Sequence, residues 1–316
     1  MRKNNRKTMN IICENWLEYI HLHVKYSTYV QYERIVHTHI GPYFNNIKMS
    51  EVTFPELQNF IHHLSTKGNQ KNGRGLSAKT INDILIVLKS IFQYYNITES
   101  NGAELPPIQR LRVQQKPVKV FNKEDYQTLE NYLTQNTSLS KLGILVSMYT
   151  GLRIGEVCAL QWKNIDFEKE LLCITQTVYR TKNPMYNPDG GFKTKVIISA
   201  PKTWNSMRQI PMCSKLVNIL NEFRPYYNKE SFVLTGTNVP MDPRTYQYQY
   251  KKHLQSCNIP YLNFHCLRHT FSTRCIEMGC DIKSLSEMLG HSSTNVTLQR
   301  YVFSSYEQKK QFVDLL

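Results

Sequence analysis

Six side chains in the last two-thirds of this 316-residue chain have the types that act on a phosphodiester: Arg153, Lys202, His265, Arg268, His291 and Tyr301. Arg153 lies in Thr150-Gly151-Leu152-Arg153-Ile154-Gly155-Glu156, an apolar stretch with a glycine suited to ending a helix. A buried arginine needs an anion or a paired acid. Glu156 is the nearby acid, so a structural ion pair is the plain alternative. Lys202 lies in Pro201-Lys202-Thr203-Trp204-Asn205-Ser206-Met207-Arg208, between two β-like runs. It would project from a hairpin turn, where an ordinary solvated lysine would read the same. His265 and Arg268, in His265-Cys266-Leu267-Arg268-His269-Thr270, share a helix face at i and i+3. Tyr301 follows Leu289-Gly290-His291-Ser292-Ser293, ten residues after the histidine. With 20 tyrosines in the chain, a lone one carries no signal.

Zinc is a competing reading. His265 and His269 are spaced as metal ligands, with Cys266, Cys275 and Cys280 near them. The paired-cysteine spacing of structural zinc sites and the His-Glu pattern of metalloproteases are both missing.

The six together fit one chemistry better than any one alone, transesterification at a phosphodiester. Two arginine forks can bind the two non-bridging oxygens. Preorganised positive charge of that kind is the largest catalytic contribution in many enzymes. A tyrosine can be the covalent nucleophile, but its ordinary pKa near 10 calls for a proton acceptor or a positive field. A histidine supplies the first, and a lysine can protonate the leaving oxygen.

The elements that must hold these residues can be read from patterning. In the first third, Ile12, Trp16, Tyr19, Ile20 and Val24 recur at helical spacing. A second helix runs from Ser27 or Thr28 to about Ile40, stopped by Gly41-Pro42. Thr53-Phe54-Pro55-Glu56 is a capping box opening a third. Ser77 caps a fourth, with Ile81, Ile84, Leu85, Leu88 and Phe92 on one face. The loop 67–75 between the last two is polar and basic. Residues 1–98 are therefore read as a helical domain and 99–121 as a basic, proline-containing linker. Residues 122–316 form a second domain: helices from Asn122 and over 139–149, and a small antiparallel sheet from 171–179 and 196–212. Asp281 caps a helix ending at Gly290, and Tyr301 falls in a short helix after Thr294. The fold class is mainly α with a small antiparallel β-sheet.

Composition agrees with a polyanion partner. Lys and Arg outnumber Asp and Glu by 39 to 24, a net charge of +15. The excess is +6 over residues 1–98, +2 over 99–122 and +7 beyond, which suits a long binding surface better than one basic arm. Lys67, Lys71 and Arg74 in the loop, and Arg110, Arg112 and Lys116 in the linker, are the candidate DNA contacts. No apolar stretch is long enough for a membrane span. The eight cysteines form no CxxC and read as reduced thiols in the cytosol.

The order Arg…Lys…His-x-x-Arg…His…Tyr resembles the tyrosine recombinase (phage integrase) family. TGLRIGEV, PKTWNSMR, HCLRHTFST and LGHSSTNVTLQRY are each similar to one of its motif blocks. The chain looks most like integrases of conjugative transposons and phages of low-GC bacteria. The resemblance implies a SAM-like core-binding domain followed by a mixed α/β catalytic domain. It implies that Tyr301 attacks the scissile phosphate, leaving a 3′-phosphotyrosyl link and a free 5′-hydroxyl. Arg153 and Arg268 would hold the non-bridging oxygens, and Lys202 would protonate the leaving oxygen. His265 would assist proton transfer and His291 would hydrogen-bond the phosphate, with Glu156 and His269 in support. No metal or other cofactor is implied. The partners implied are double-stranded DNA with inverted-repeat core sites, three further copies in a homotetramer, and in some cases a directionality factor. A bacterial cytoplasmic, nucleoid-associated protein is expected, with no membrane partner. The apolar tail with Phe312, Val313, Leu315 and Leu316 would dock on a neighbour or on its own domain. The first helix begins near residue 10, leaving no room for an arm-binding domain in front, so the layout is two-domain or the chain is truncated. A type IB-like topoisomerase and a non-catalytic DNA-binding regulator of the same fold are the other readings.

Overall fold

A computed structural model of the chain describes residues 7–98, 105–114, 117–183, 185–186, 192–200, 207–301, 310 and 313–314, with the backbone alone at 50 and 299–301. The chain divides into two compact units, residues 1–116 and 117–316.

The first unit is helical: α1 (Met9–His21), α2 (Tyr26–Ile35), α3 (Gly41–Phe44), α4 (Phe54–Lys67) and α5 (Ala78–Thr98). Apolar residues at helical spacing close its core, with Ile12, Trp16, Phe44, Phe60, Leu88 and Ile91 all fully buried. Thr53 caps α4 by accepting from the Glu56 amide, and Ser77 accepts from the Thr80 amide at the start of α5. Gly41-Pro42 does not stop the second helix. A five-residue π-helical segment, Val36–Ile40, links α2 to α3. A proline has no N–H to give the carbonyl four residues back. Here that carbonyl, Thr38 O, accepts instead from the Gln70 side-chain amide.

Part of the segment read as linker packs on this unit. Leu105, Ile108 and Leu111 lie against its core. The Asn82 side chain accepts from the Leu111 amide at 2.8 Å and donates to the Leu111 carbonyl at 2.9 Å. At the other end, Phe121 is buried in the core of the second unit, its amide donating to Thr270 Oγ1 at 2.9 Å.

The second unit begins with α6 (Lys123–Thr134), capped by Asn122, and α7 (Leu139–Thr150), capped by Ser138. An unbroken run of α7, Leu142–Met148, is buried on every side, so it is the central helix of the unit. Then come α8 (Ile154–Ala159), β1 (Ile165–Asp166), β2 (Leu171–Ile174), β3 (Thr177–Lys182), β4 (Thr194–Ser199) and β5 (Arg208–Pro211). The helices α9 (Ser214–Phe223), α10 (Pro243–Ser256), α11 (His265–Glu277), α12 (Ile282–Leu289) and α13 (Thr294–Tyr301) follow. The strands form two antiparallel sheets, β1-β2-β5 and β3-β4. This corrects one expectation. The strands flanking Lys202 are not paired with each other, because β4 pairs with β3 and β5 with β2. Lys202 itself lies outside the described residues, as do Lys116, Tyr306 and, in the tail, Phe312, Leu315 and Leu316.

Gly151 ends α7 in the left-handed region, at φ +67°. A Cβ there would meet Phe271 Cδ1 at 2.6 Å and Leu289 Cδ2 at 3.1 Å. Gly151→Ala is therefore expected to lower stability by at least about 1–2 kcal/mol. A denaturant midpoint equal to wild type would contradict this account of the turn that carries Arg153.

Candidate active site

The site is built around the end of α12. A helix leaves its last four carbonyls without intrahelical partners. Here Gly290 takes a left-handed conformation at φ +63°. Its amide donates to Glu287 O at 3.0 Å, and the His291 amide donates to Ser286 O at 3.1 Å. This double closure satisfies two of the four. The other two are met by arginines. Met288 O accepts from Arg208 Nε at 2.6 Å. Leu289 O accepts from Arg268 Nη2 at 2.6 Å and from Arg153 Nη1 at 3.3 Å. One carbonyl thus brings together two arginines 115 positions apart in sequence.

Each arginine has further anchors. Arg268, on α11, is only 1% exposed and also donates from Nη1 to Gly151 O at 3.0 Å. Arg153 occupies the N-cap position of α8, and its Nη1 lies 2.9 Å from Glu156 Oε1. The Arg153 amide donates to Glu156 Oε2 at 2.9 Å. The ion pair raised as the plain alternative is therefore present. It coexists with the Leu289 contact, and the Arg153 side chain keeps 37% of its surface exposed.

Glu156 has a second cationic partner that the motif reading passed over. Arg208 closes on it with Nη2–Oε2 at 2.9 Å and Nη1–Oε1 at 3.1 Å. Both side chains are almost fully buried. Its signal was in the sequence, at the end of the lysine motif, but a basic residue opening a strand looks like any surface position until the fold turns it inward. Burial opposes ionisation of Glu156, yet hydrogen bonds and charge from Arg208 and Arg153 win, bringing its pKa to about 2.

The histidines sit at helix ends. His265 opens α11, and its ring stacks edge-on against His269 with centroids 4.4 Å apart. Among the described residues, no three His, Cys, Asp or Glu side chains converge as metal ligands. His291 follows Gly290, and its Nδ1 is 2.8 Å from the Thr297 hydroxyl. Thr297 is fully buried on α13. The contact fixes one ring nitrogen of His291 and ties it to the helix whose last residue is Tyr301. Thr297 was missed because its value lies in this one contact across a turn.

The structure thus converges Arg153, Arg268 and Glu156, and joins His291 to the same turn. It places Tyr301 at the end of the next helix and His265 with His269 on the helix of Arg268.

A profile of the phage integrase family matches residues 119–308, and one of the phage integrase N-terminal SAM-like domain matches 8–65. The chain belongs to the phage integrase family. It is a site-specific tyrosine recombinase, an enzyme that cuts and rejoins DNA. Relatives include a XerC-like tyrosine recombinase of Caldanaerobacter subterraneus subsp. tengcongensis, 28% identical over 98% of this chain and 82% of that protein. The ICEBs1 integrase of Bacillus subtilis is also 28% identical, over 100% of this chain and 84% of its own. The fold matches the Tn1549 transposon integrase bound to transposon right end DNA, with a TM-score of 0.76 at 20% identity, covering 98% of this chain and 99% of that one. These matches extend the expected architecture, a SAM-like domain before a catalytic domain, over nearly the whole chain. No helix among the described residues is long and apolar enough to cross a membrane.

The Glu156 arrangement gives a pH signature. A carboxyl whose pKa is lowered on folding stabilises the fold above its unfolded value, near 4.5, and loses that contribution as pH falls toward 2. Glu156→Gln is expected to cost about 3–5 kcal/mol at neutral pH, as breaking a buried pair does. The gap between wild type and variant should narrow from pH 5 toward pH 3. Denaturant titrations with a constant gap would contradict it.

Proposed function

We propose that Tyr301 is the nucleophile of the integrase reaction. It attacks the scissile phosphate, forms a 3′-phosphotyrosyl link and releases a 5′-hydroxyl. The observation that carries this reading is the meeting of Arg153 and Arg268 at Leu289 O, one turn from His291 and one helix from Tyr301. Arg153 and Arg268 bind the non-bridging oxygens, whose charge grows in the transition state. His291 donates a hydrogen bond to the phosphate. Lys202 gives a proton to the leaving oxygen, and His265 assists proton transfer at the tyrosine. Glu156 and His269 hold their neighbours in place. The energy of the broken diester is kept in the tyrosyl phosphate, so the residues assigned complete the reaction without ATP.

The wider reading is a bacterial cytoplasmic, nucleoid-associated enzyme that moves or rearranges a mobile element. It would act as a homotetramer on paired inverted-repeat core sites, through a Holliday junction, with a directionality factor in some contexts. Supporting this, a lambda integrase tetramer bound to a Holliday junction shares the fold, with a TM-score of 0.67 at 13% identity, covering 96% of this chain and 80% of that one.

The test uses duplex DNA from the regions flanking the gene, nicked near candidate sites to trap cleavage. A denaturing gel should show a covalent protein–DNA adduct, formed without added metal, that Tyr301→Phe abolishes. An adduct surviving in the variant would move the assignment to Tyr306.

DNA contacts are proposed for Lys67, Lys71, Arg74, Arg110, Arg112 and Lys116. The first five are exposed. The loop 67–75 leads into the start of α5, and Asn82 holds Leu111, between Arg110 and Arg112, against the first turns of the same helix. Both basic segments therefore border the positive end of one long helix. Most contacts should be to phosphates, so neutralising all six should reduce the slope of log K against log salt by roughly 5. An unchanged slope would rule out this surface.

A further inference from the structure

Arg208 is the one arginine of the cluster without a role in the reaction proposed above. It opens β5, and its side chain is 5% exposed. Three of its N–H groups are committed inside the unit: Nε to Met288 O at 2.6 Å, Nη1 to Glu156 Oε1 at 3.1 Å and Nη2 to Glu156 Oε2 at 2.9 Å. The planar fork therefore covers both carboxylate oxygens while its inner edge holds the end of α12. A lysine, as a point charge, cannot make all three contacts.

Each of these contacts leads to a phosphate-binding arginine. Glu156 Oε1 also accepts from Arg153 Nη1, and Oε2 from the Arg153 amide. Met288 is next to Leu289, whose carbonyl receives both Arg153 and Arg268. Arg208 is also six residues beyond Lys202. Its anchor fixes where that chain re-enters the sheet, within about 20 Å of the lysine even if fully extended.

We propose that Arg208 is a positioning residue for strand cleavage, holding Glu156 and the end of α12 so that Arg153 and Arg268 present their donors together, without touching the scissile phosphate itself. The inference rests on the reading that those two arginines hold the phosphate and that Tyr301 attacks it.

The arrangement gives a readout that loss of packing alone would not. Among the described residues, the charges facing Glu156 are Arg208 from β5 and Arg153 at the start of α8. Without Arg208 the carboxylate stays desolvated and keeps only Arg153. Burial then favours its protonated form at higher pH. Protonation would release Arg153, so cleavage should become sensitive to acid in a range where wild type is not.

The experiment measures adduct formation by the full chain on the nicked gene-flanking duplex that wild type cleaves, under single-turnover conditions from pH 5 to 8. Arg208→Met, Arg208→Lys, Glu156→Gln and the double variant Glu156→Gln with Arg208→Met are compared, with Tyr301→Phe as control. Circular dichroism checks that each is folded. Arg208→Met should cleave about 100-fold more slowly at saturating DNA, the loss expected from misplaced catalytic groups. Its DNA affinity should stay within about threefold of wild type, and its rate should fall further toward pH 5. Arg208→Lys should recover part of the rate, and the double variant should lose the acid sensitivity. If Arg208→Met is unfolded, Arg208→Lys carries the test through a smaller rate loss and a shallower acid limb, because its charge is kept while the two-point contact is lost. Wild-type rates in both Arg208 variants, while Tyr301→Phe forms no adduct, would overturn the inference alone. So would a loss of affinity as large as the loss of rate, which would mean direct contact with DNA. Absence of any Tyr301-dependent adduct from wild type would overturn the underlying reading and this inference with it.

Discussion

A helix that ends in the protein interior has to satisfy its last carbonyls, and in this molecule the solution creates the site. The chain end of α12 uses the amides of Gly290 and His291 for two of them. Three guanidinium groups converge on the other two. The negative end of a helix favours cations, so the arginines gain from burial there rather than only tolerating it. Glu156 then offsets part of their mutual repulsion. Among the described residues, Glu156 is faced by Arg208 and Arg153, with Arg268 on the same helix end, so guanidinium groups outnumber the carboxylate there. A phosphodiester carries one negative charge and develops more during transesterification. The cluster is thus balanced well enough to fold without DNA and still electropositive enough to favour the transition state.

The turn geometry follows from the same constraint. Gly151 and Gly290 both adopt left-handed conformations, and each places a carbonyl or an amide where the cluster needs it. Gly151 O receives Arg268. The Gly290 turn carries His291 out of α12, and Thr297 takes hold of its ring. The chain from α12 to Tyr301 is therefore fixed at one end by arginines and along its length by a buried hydroxyl. In the proposed reaction, a nucleophile at the end of that short helix would gain orientation from the tie.

Much of this was legible in the sequence, and the parts that were not share a physical reason. Helix starts at Thr53, Ser77, Asn122 and Asp281 are local events, decided by side chains within four residues, and they stand where the capping signals put them. Gly290 could be read as a helix end for the same reason. The Gly41-Pro42 stop failed because a distant side chain, Gln70, satisfies the carbonyl that proline leaves open. The hairpin around Lys202 failed because strand pairing is non-local, and β-rich runs do not name their partners. Arg208 and Thr297 were passed over for a related reason. Their contacts reach Glu156 and Met288 in one case and His291 in the other, and nothing in their own neighbourhoods marks them as buried. The six residue types with a chemical rationale stand out in the sequence as a combination, whereas the groups that contact them are ordinary residues that only the fold brings to them.

The two arginines proposed to bind the phosphate are not equivalent. Arg268 is sealed from solvent, with two carbonyls fixing its plane. Arg153 keeps more than a third of its side-chain surface exposed. An arriving phosphate would meet Arg153 first and give up water to it. Arg268 would donate from the buried side of the site, where low effective dielectric makes the same charge act more strongly. Its desolvation is complete before DNA arrives, so little of that cost is left for the moment of reaction. Orientation of this kind is what distinguishes catalytic electrostatics from the general attraction of a protein with a charge of +15. The diffuse charge favours DNA of any sequence, while in the proposed reaction the fixed pair would act on the one phosphate that Tyr301 attacks.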